Sequence, residues 1–294
     1  MPTFDTPEPI SVTVELGVGD IRIAASDRAD TVVEVAPSDP AKRSDVSAAE
    51  EARVEYADGR LVIKAPKGWR QWTFWGGGES IDVRVALPAG SDVRCEAGIA
   101  SVRATGRLGE CRLRTGIGEL RVEHAGPAHL TTGMGDITVG RVVGHAELTA
   151  GSGGVRVERV DGTAVIKNSN GDTWIGEATG EVRVNAANGR IAVDRAGAAV
   201  AAKTANGDIR LSEVARGAVL AQTACGKLEV GVREGVAAWL DLDTDYGSVE
   251  NRLDAAERPQ PGEDAVEVRA RSSFGDITIR RVRPAAAMPA EDRS

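Results

Sequence analysis

Residues 132–211 read TGMGDITVGRVVGHAELTAGSGGVRVERVDGTAVIKNSNGDTWIGEATGEVRVNAANGRIAVDRAGAAVAAKTANGDIRL, and this stretch decides the fold. Within it Gly135, Gly153, Gly171, Gly189 and Gly207 recur every 18 residues, each opening an alternating apolar run. A fixed period of this length marks a stacked repeat, because one unit can bury its apolar face only against its neighbours.

Working outward, Gly118 in TGIGELRV precedes by 17 residues and Gly226 in TACGKLEV follows Gly207 by 19. Degenerate copies, AGIASVRA, TDYGSVEN and SSFGDITI, place Ala100, Gly247 and Gly275 at the same anchor. The last spacing stretches to 28, and the polar, Pro-containing DAAERPQPGED of residues 254–264 reads as a loop inserted into one coil.

Two and four residues after the anchor the side chains are apolar: Leu120 and Val122, Ile137 and Val139, Ile191 and Val193. A second such pair precedes the next anchor, as in Ala146 and Leu148 or Val182 and Val184. Alternation with a period of two is a strand with one buried face, so each coil is two strands joined by two glycine-rich corners. The fold class is all-β, a β-solenoid of 18-residue, two-strand coils.

In such a stack equivalent residues of successive coils lie about 4.8 Å apart, so columns acquire meaning. The column Thr115, Thr132, Ala150, Asn168, Ala186, Thr204, Thr223 suits hydroxyl ladders, and Asn170, Asn188 and Asn206 suit an amide ladder. After the anchor, Asp136, Gly154, Asp172, Arg190, Asp208 and Lys227 never set like charges side by side.

Before Ala100 the period is lost, although ELGVGDIRIAA around Gly19 is a good copy of the unit. ISVTVEL, DTVVEVAP, ARVEYADGRLVIKAP and SIDVRVALPAG alternate like strands, and Asp58-Gly59 marks a hairpin turn. Ser38–Ala52 is polar and reads as a loop with a short helical piece. The organisation expected is an irregular β region over residues 1–95 that is continuous with the stack and covers its end, repeats over 96–283, and a disordered tail from 284 to 294.

Composition agrees with this organisation. Aromatics are 3% of the 294 residues while glycine reaches 35 copies, so the core must be built from small aliphatic side chains with many tight corners. A net charge of −8 with both signs interspersed argues against a nucleic-acid partner, which needs clustered Lys and Arg. The opening MPTFDTPEPIS has no basic segment leading into an apolar run, and no 18 apolar residues occur together. A cytoplasmic protein without an integral membrane segment is expected. The three cysteines, Cys95, Cys111 and Cys225, form no CxxC and read as small buried or half-buried side chains.

The segments PISVTVELGVGDIRI, DTVVEVAPSDP, VEYADGRLVIKAP and VRVALPAGSDV, with the TGxGDIxV repeats up to SSFGDITIRRV, carry a family resemblance over roughly residues 4–283. The chain resembles bacterial β-strand repeat proteins of unknown function (domain of unknown function 4097), a family that goes by the label putative adhesin. The resemblance implies the solenoid fold, no catalytic residues and no cofactor. Its label implies a surface location, from which this chain departs by lacking an export signal, and its relatives' association with membrane-stress and transporter systems implies an accessory or scaffold role.

Two groups of residues stand out as candidate sites. In GWRQWTFWGGGES, Trp69, Arg70, Trp72, Phe74 and Trp75 combine the side chains favoured at binding surfaces with a glycine run, and the same rings suit a cap over the end of the stack. In LDLDTDYG, the carboxylates Asp241, Asp243 and Asp245 alternate with Leu240, Leu242 and Thr244. They suit either an acidic edge that deters strand pairing or, more weakly, a metal or glycan-cleaving site. His124, His129 and His145 form no ligand motif. The expected function is non-enzymatic binding or scaffolding toward a protein or glycan, with a self-assembling solenoid and a carbohydrate-active enzyme as alternatives.

Overall fold

The computed structural model describes residues 1–66, 79–253 and 265–283. The N-terminal third holds β1 (Thr3–Asp5), β2 (Ser11–Ser26), β3 (Asp30–Pro37), α1 (Arg43–Glu51), β4 (Arg53–Ala57), β5 (Arg60–Lys64) and β6 (Ile81–Pro88). After β7 (Asp92–Arg107) come β8 (Cys111–Ile117) with β9 (Leu120–Ala125), β10 (Ala128–Met134) with β11 (Ile137–Val143), and β12 (Ala146–Ser152) with β13 (Val155–Asp161). The same pairing continues with β14 (Ala164–Asn170) and β15 (Thr173–Ala178), β16 (Val182–Asn188) and β17 (Ile191–Ala196), and β18 (Val200–Asn206) and β19 (Ile209–Val214). It ends with β20 (Gly217–Cys225) and β21 (Leu228–Arg233), β22 (Ala237–Tyr246) and β23 (Val249–Arg252), and β24 (Ala265–Phe274) and β25 (Ile277–Val282).

Each pair is one coil of a β-solenoid. Even-numbered strands from β10 to β20 stack in parallel on β8 to make one sheet, and odd-numbered strands from β11 to β21 stack on β9 to make the other. The register is that of the repeat, with Ile166 between Leu148 and Val184, and Ile175 between Val157 and Val193. All six are at most 1% exposed and fill the space between the sheets.

The corners explain why the anchors are glycine. Gly171 has φ 135°, and a Cβ placed on it would lie 2.1 Å from the carbonyl oxygen of Gly153 in the coil below. Neither the backbone conformation nor the space admits a side chain.

Two kinds of side-chain staple tie anchor corners to their neighbours. Asp136, Asp172 and Asp208 accept the backbone N–H of Gly154, Arg190 and Lys227 one coil on, at 2.7–2.8 Å. Inside the corner, Thr132 and Thr223 donate to the carbonyls of Gly118 and Gly207 at 3.1 and 3.0 Å, and Asn168 does the same to Gly153 at 3.1 Å. The expected hydroxyl ladder is therefore replaced by bonds from hydroxyl to backbone, because the turned glycine peptides leave inward carbonyls that need donors. The amide ladder does form, Asn206 donating to Asn188 and Asn188 to Asn170, both at 2.9 Å.

At the ends the stack departs from chain order. β2 is a complete coil lying between β7 on one side and β5 with β6 on the other. Antiparallel strands then finish both sheets, β4 on β5 through a turn with positive φ at Asp58 and Gly59, and β3 on β6 followed by β1 on β3. The polar stretch before β4 supplies α1 as its short helix, and β7 runs unbroken through residues 95 and 96. At the other end β24 and β25 are inserted between β20–β21 and β22–β23. The loop read at residues 254–264 and the tail read at 284–294 lie outside the described residues. Among the described residues no helix is long and apolar enough to cross a membrane.

Candidate binding surface at the open end of the stack

Among the described residues β22 pairs only with β24, and β23 only with β25, so this coil is where both sheets stop. Alternation along β22 turns Leu240, Leu242 and Thr244 inward, half-buried, and leaves Trp239, Asp241, Asp243 and Asp245 exposed on the outer face. Trp239 is 76% exposed and Tyr246 70%. The Tyr246 ring stacks on Phe274 with centroids 4.9 Å apart and planes at 5°, giving a flat apolar surface at the corner.

Arg271 Nη2 reaches both oxygens of Asp241, at 2.9 and 2.8 Å, while the neighbouring Arg269 bonds Glu267. Among the described residues Asp243 and Asp245 make no ion pair. No cluster of three or more His, Cys, Asp or Glu able to hold a metal exists among the described residues.

The coil is fastened by Asp276, whose Oδ1 accepts from Ser248 Oγ at 2.8 Å and Ser248 N at 3.1 Å. The Ser248 hydroxyl foremost, then its backbone N–H, holds the Asp276 carboxyl below its ordinary pKa despite some opposing desolvation. Thr244 Oγ1 adds a bond to Gly275 O at 2.9 Å.

Trp69, Arg70, Trp72, Phe74 and Trp75 lie outside the described residues. The exposed aromatics seen here, the Tyr246–Phe274 pair at the corner and Trp239 about 23 Å back along β22, were missed by reading motifs one at a time. The signal for the pair is the column that places Asn206, Cys225, Phe274 and Tyr246 side by side, visible only when the last two coils are put in their stacking order. The other tryptophan on a regular face, Trp174, is engaged: Arg156 lies 3.8 Å from its ring centroid and its Nε1 donates to Asp194 at 3.1 Å. Cys95 and Cys111 are buried as expected and Cys225 is exposed. Burial pushes the Cys111 thiol up to about 12 and raises Cys95 as well.

A family model for Toastrack DUF4097 matches residues 8–280. The chain belongs to the Toastrack DUF4097 family. Among solved structures, a putative adhesin from Parabacteroides distasonis is similar at 14% identity, covering 96% of this chain and 95% of that one, with a TM-score of 0.36. A putative adhesin from Bacteroides fragilis gives 12% identity, 96% and 95% coverage and a TM-score of 0.32. A putative cell adhesion protein from Clostridium sporogenes gives 11%, 96% and 98%, and 0.21. No curated protein matches the chain.

Proposed function

We propose that this Toastrack chain is a non-enzymatic binding or scaffold protein of the adhesin-like kind, which engages a macromolecular partner at the open end of its stack. The observation that carries this reading is the outermost coil, where Trp239 and Tyr246 stand 76% and 70% exposed beside unpaired strand edges. Exposed aromatics at the centre of a contact supply most of the energy of typical interfaces. Edge strands also offer backbone donors and acceptors to a partner's strand.

Self-assembly through the same edge is the second reading, and the carboxylates weigh against it. Two copies meeting there would bring together Asp243 and Asp245, neither of which is ion-paired among the described residues, and inward or edge charge is a common device against such pairing. The proposal extends to a cytoplasmic setting, supported by three cysteines that are all unpaired.

The test is capture of partners from the native host by the full chain and by a Trp239→Ala/Tyr246→Ala variant, with sedimentation of both at rising concentration. Partners lost with the variant, from a chain that stays monomeric, are the expected result. Partners retained by the variant would overturn the assignment of the site, and concentration-dependent growth would favour self-assembly.

A further inference from the structure

The chain holds three histidines, and the stack sets two of them side by side. His129 is the second residue of β10, and His145 is the residue before β12. Because Ala128 pairs with Ala146, the Ala128 N–H donates to the His145 carbonyl at 2.9 Å, which seats His145 beside the start of β10. Both alanines are fully buried, so alternation turns the two histidines to the outer face of the sheet built on β8. Their half-buried rings have centroids 5.9 Å apart and planes at 57°. The separation in the chain, two residues short of one 18-residue coil, matches no ligand motif.

Each ring is held at its Nδ1. His145 Nδ1 shares a hydrogen bond of 2.7 Å with Thr163 Oγ1, in the corner before β14. His129 Nδ1 lies 3.4 Å from Oε2 of Glu147, its register partner on β12. With the proton on Nδ1, each neutral ring donates there to an oxygen and keeps its lone pair on Nε2. Among the described residues neither Nε2 has a hydrogen-bond partner. Two cations on this face are turned to carboxylates: Arg112, level with His129 on β8, bonds Glu110 at 2.7 Å, and Lys167 lies 3.8 Å from Glu147.

We propose that His129 and His145 together bind one divalent late transition-metal ion, copper(II) most tightly, through Nε2 of each ring, with water in the remaining positions. Imidazole nitrogen suits copper, nickel and zinc, whereas magnesium and calcium take oxygen ligands. Metal–imidazole bonds of about 2.0–2.1 Å put two ring centroids roughly 4.6 Å apart for positions at a right angle and roughly 6.5 Å apart for opposite ones. The observed 5.9 Å lies inside that range, so an ion can be met by rotation of the rings with both strands left in place. A histidine donating from its other nitrogen to a carboxylate or hydroxyl is the usual outer shell of a metal-bound imidazole. No third His, Cys, Asp or Glu joins the pair among the described residues. Zinc sites draw on three or four protein ligands, so two rings suit copper(II), which also stands highest in the affinity order of nitrogen sites.

The pair is distinct from the open end of the stack, so this inference and the partner-binding reading fail separately. The test is calorimetric titration of the full chain carrying Cys225→Ser, which removes the exposed thiol, with copper(II), nickel(II), zinc(II) and magnesium chlorides. A copper(II) site tighter than that for nickel(II) or zinc(II), with no uptake of magnesium, is expected. His129→Ala or His145→Ala should each weaken it by at least the about 10–100-fold that loss of an outer-shell partner costs. His124→Ala, on β9 of the other sheet, should leave it unchanged. Thr163→Val keeps both imidazoles and removes only the partner of one Nδ1, so it should weaken copper(II) binding less than either alanine. Paramagnetic resonance of the copper-loaded chain should show coupling to two nitrogens. No copper(II) uptake, uptake that survives both histidine variants, an equal loss with His124→Ala, or coupling to a single nitrogen would each overturn the assignment. Failed uptake alongside partner capture that still requires Trp239 would remove this site and leave the open-end reading intact.

Discussion

At the scale of the residue, the corner glycine does the most to fix this structure. Gly171 and Gly59 both have positive φ, 135° and 71°, yet their surroundings differ: nothing lies within 4 Å of a Cβ on Gly59, while one on Gly171 meets a carbonyl oxygen at 2.1 Å. Gly171→Ala should therefore lower stability by more than the roughly 1–3 kcal/mol of backbone strain alone, because two coils must also move apart. Gly59→Asn should cost little, since asparagine accepts the left-handed turn. Urea denaturation of the two variants checks the contrast, and equal losses would show that φ alone explains the anchors. The sequence made this position legible through its period. It could not show the carbonyl beneath, which belongs to a residue 18 positions earlier.

At the scale of the element, a coil is held to its neighbour by backbone bonds, buried aliphatics and the corner staples. For the outermost coil the Asp276–Ser248 staple is open to a direct test by pH. The carboxyl is held below its ordinary value by the bonds from Ser248, so its contribution is complete above the unfolded pKa of about 3.9. It is lost as pH falls through the lower folded value. The Ser248 amide resonance should therefore shift only below about pH 4, and Asp276→Asn should flatten that titration. A Ser248 signal that titrates identically in the variant would show the staple to be idle. The acidic residue after the anchor was visible as an alternating column, but its reason was read as avoidance of like charge. The structure adds a positive role, a bond to the next coil's N–H that recurs at Asp136, Asp172 and Asp208.

At the scale of the whole molecule, the order of coils matters more than their number. Because β24–β25 is enclosed between β20–β21 and β22–β23, the strands nearest the C-terminal residue are protected on both sides. Stability in a stacked repeat is set mainly by nearest neighbours, and coils with one neighbour open first. Amide exchange should accordingly be fastest in β22 and β23 and slower in β24 and β25, against their order in the chain. The opposite ranking would contradict the stacking order. The same permutation brings Tyr246 onto Phe274, although the two are not one period apart in the sequence.

The sequence by itself determined the repeat, the two-strand coil, the glycine corners, the asparagine ladder and the hairpin at Gly59. Each of these depends on residues that are local or separated by one constant period, so the alternation alone specifies who faces inward. What only the tertiary structure decided is the arrangement at the two ends, where the chain leaves its period and returns to a coil out of turn. Pairing there is chosen by which free sheet edge each strand can join, a choice between edges offering similar backbone bonds. No spacing records it, and the candidate binding surface at the open end is assembled by it.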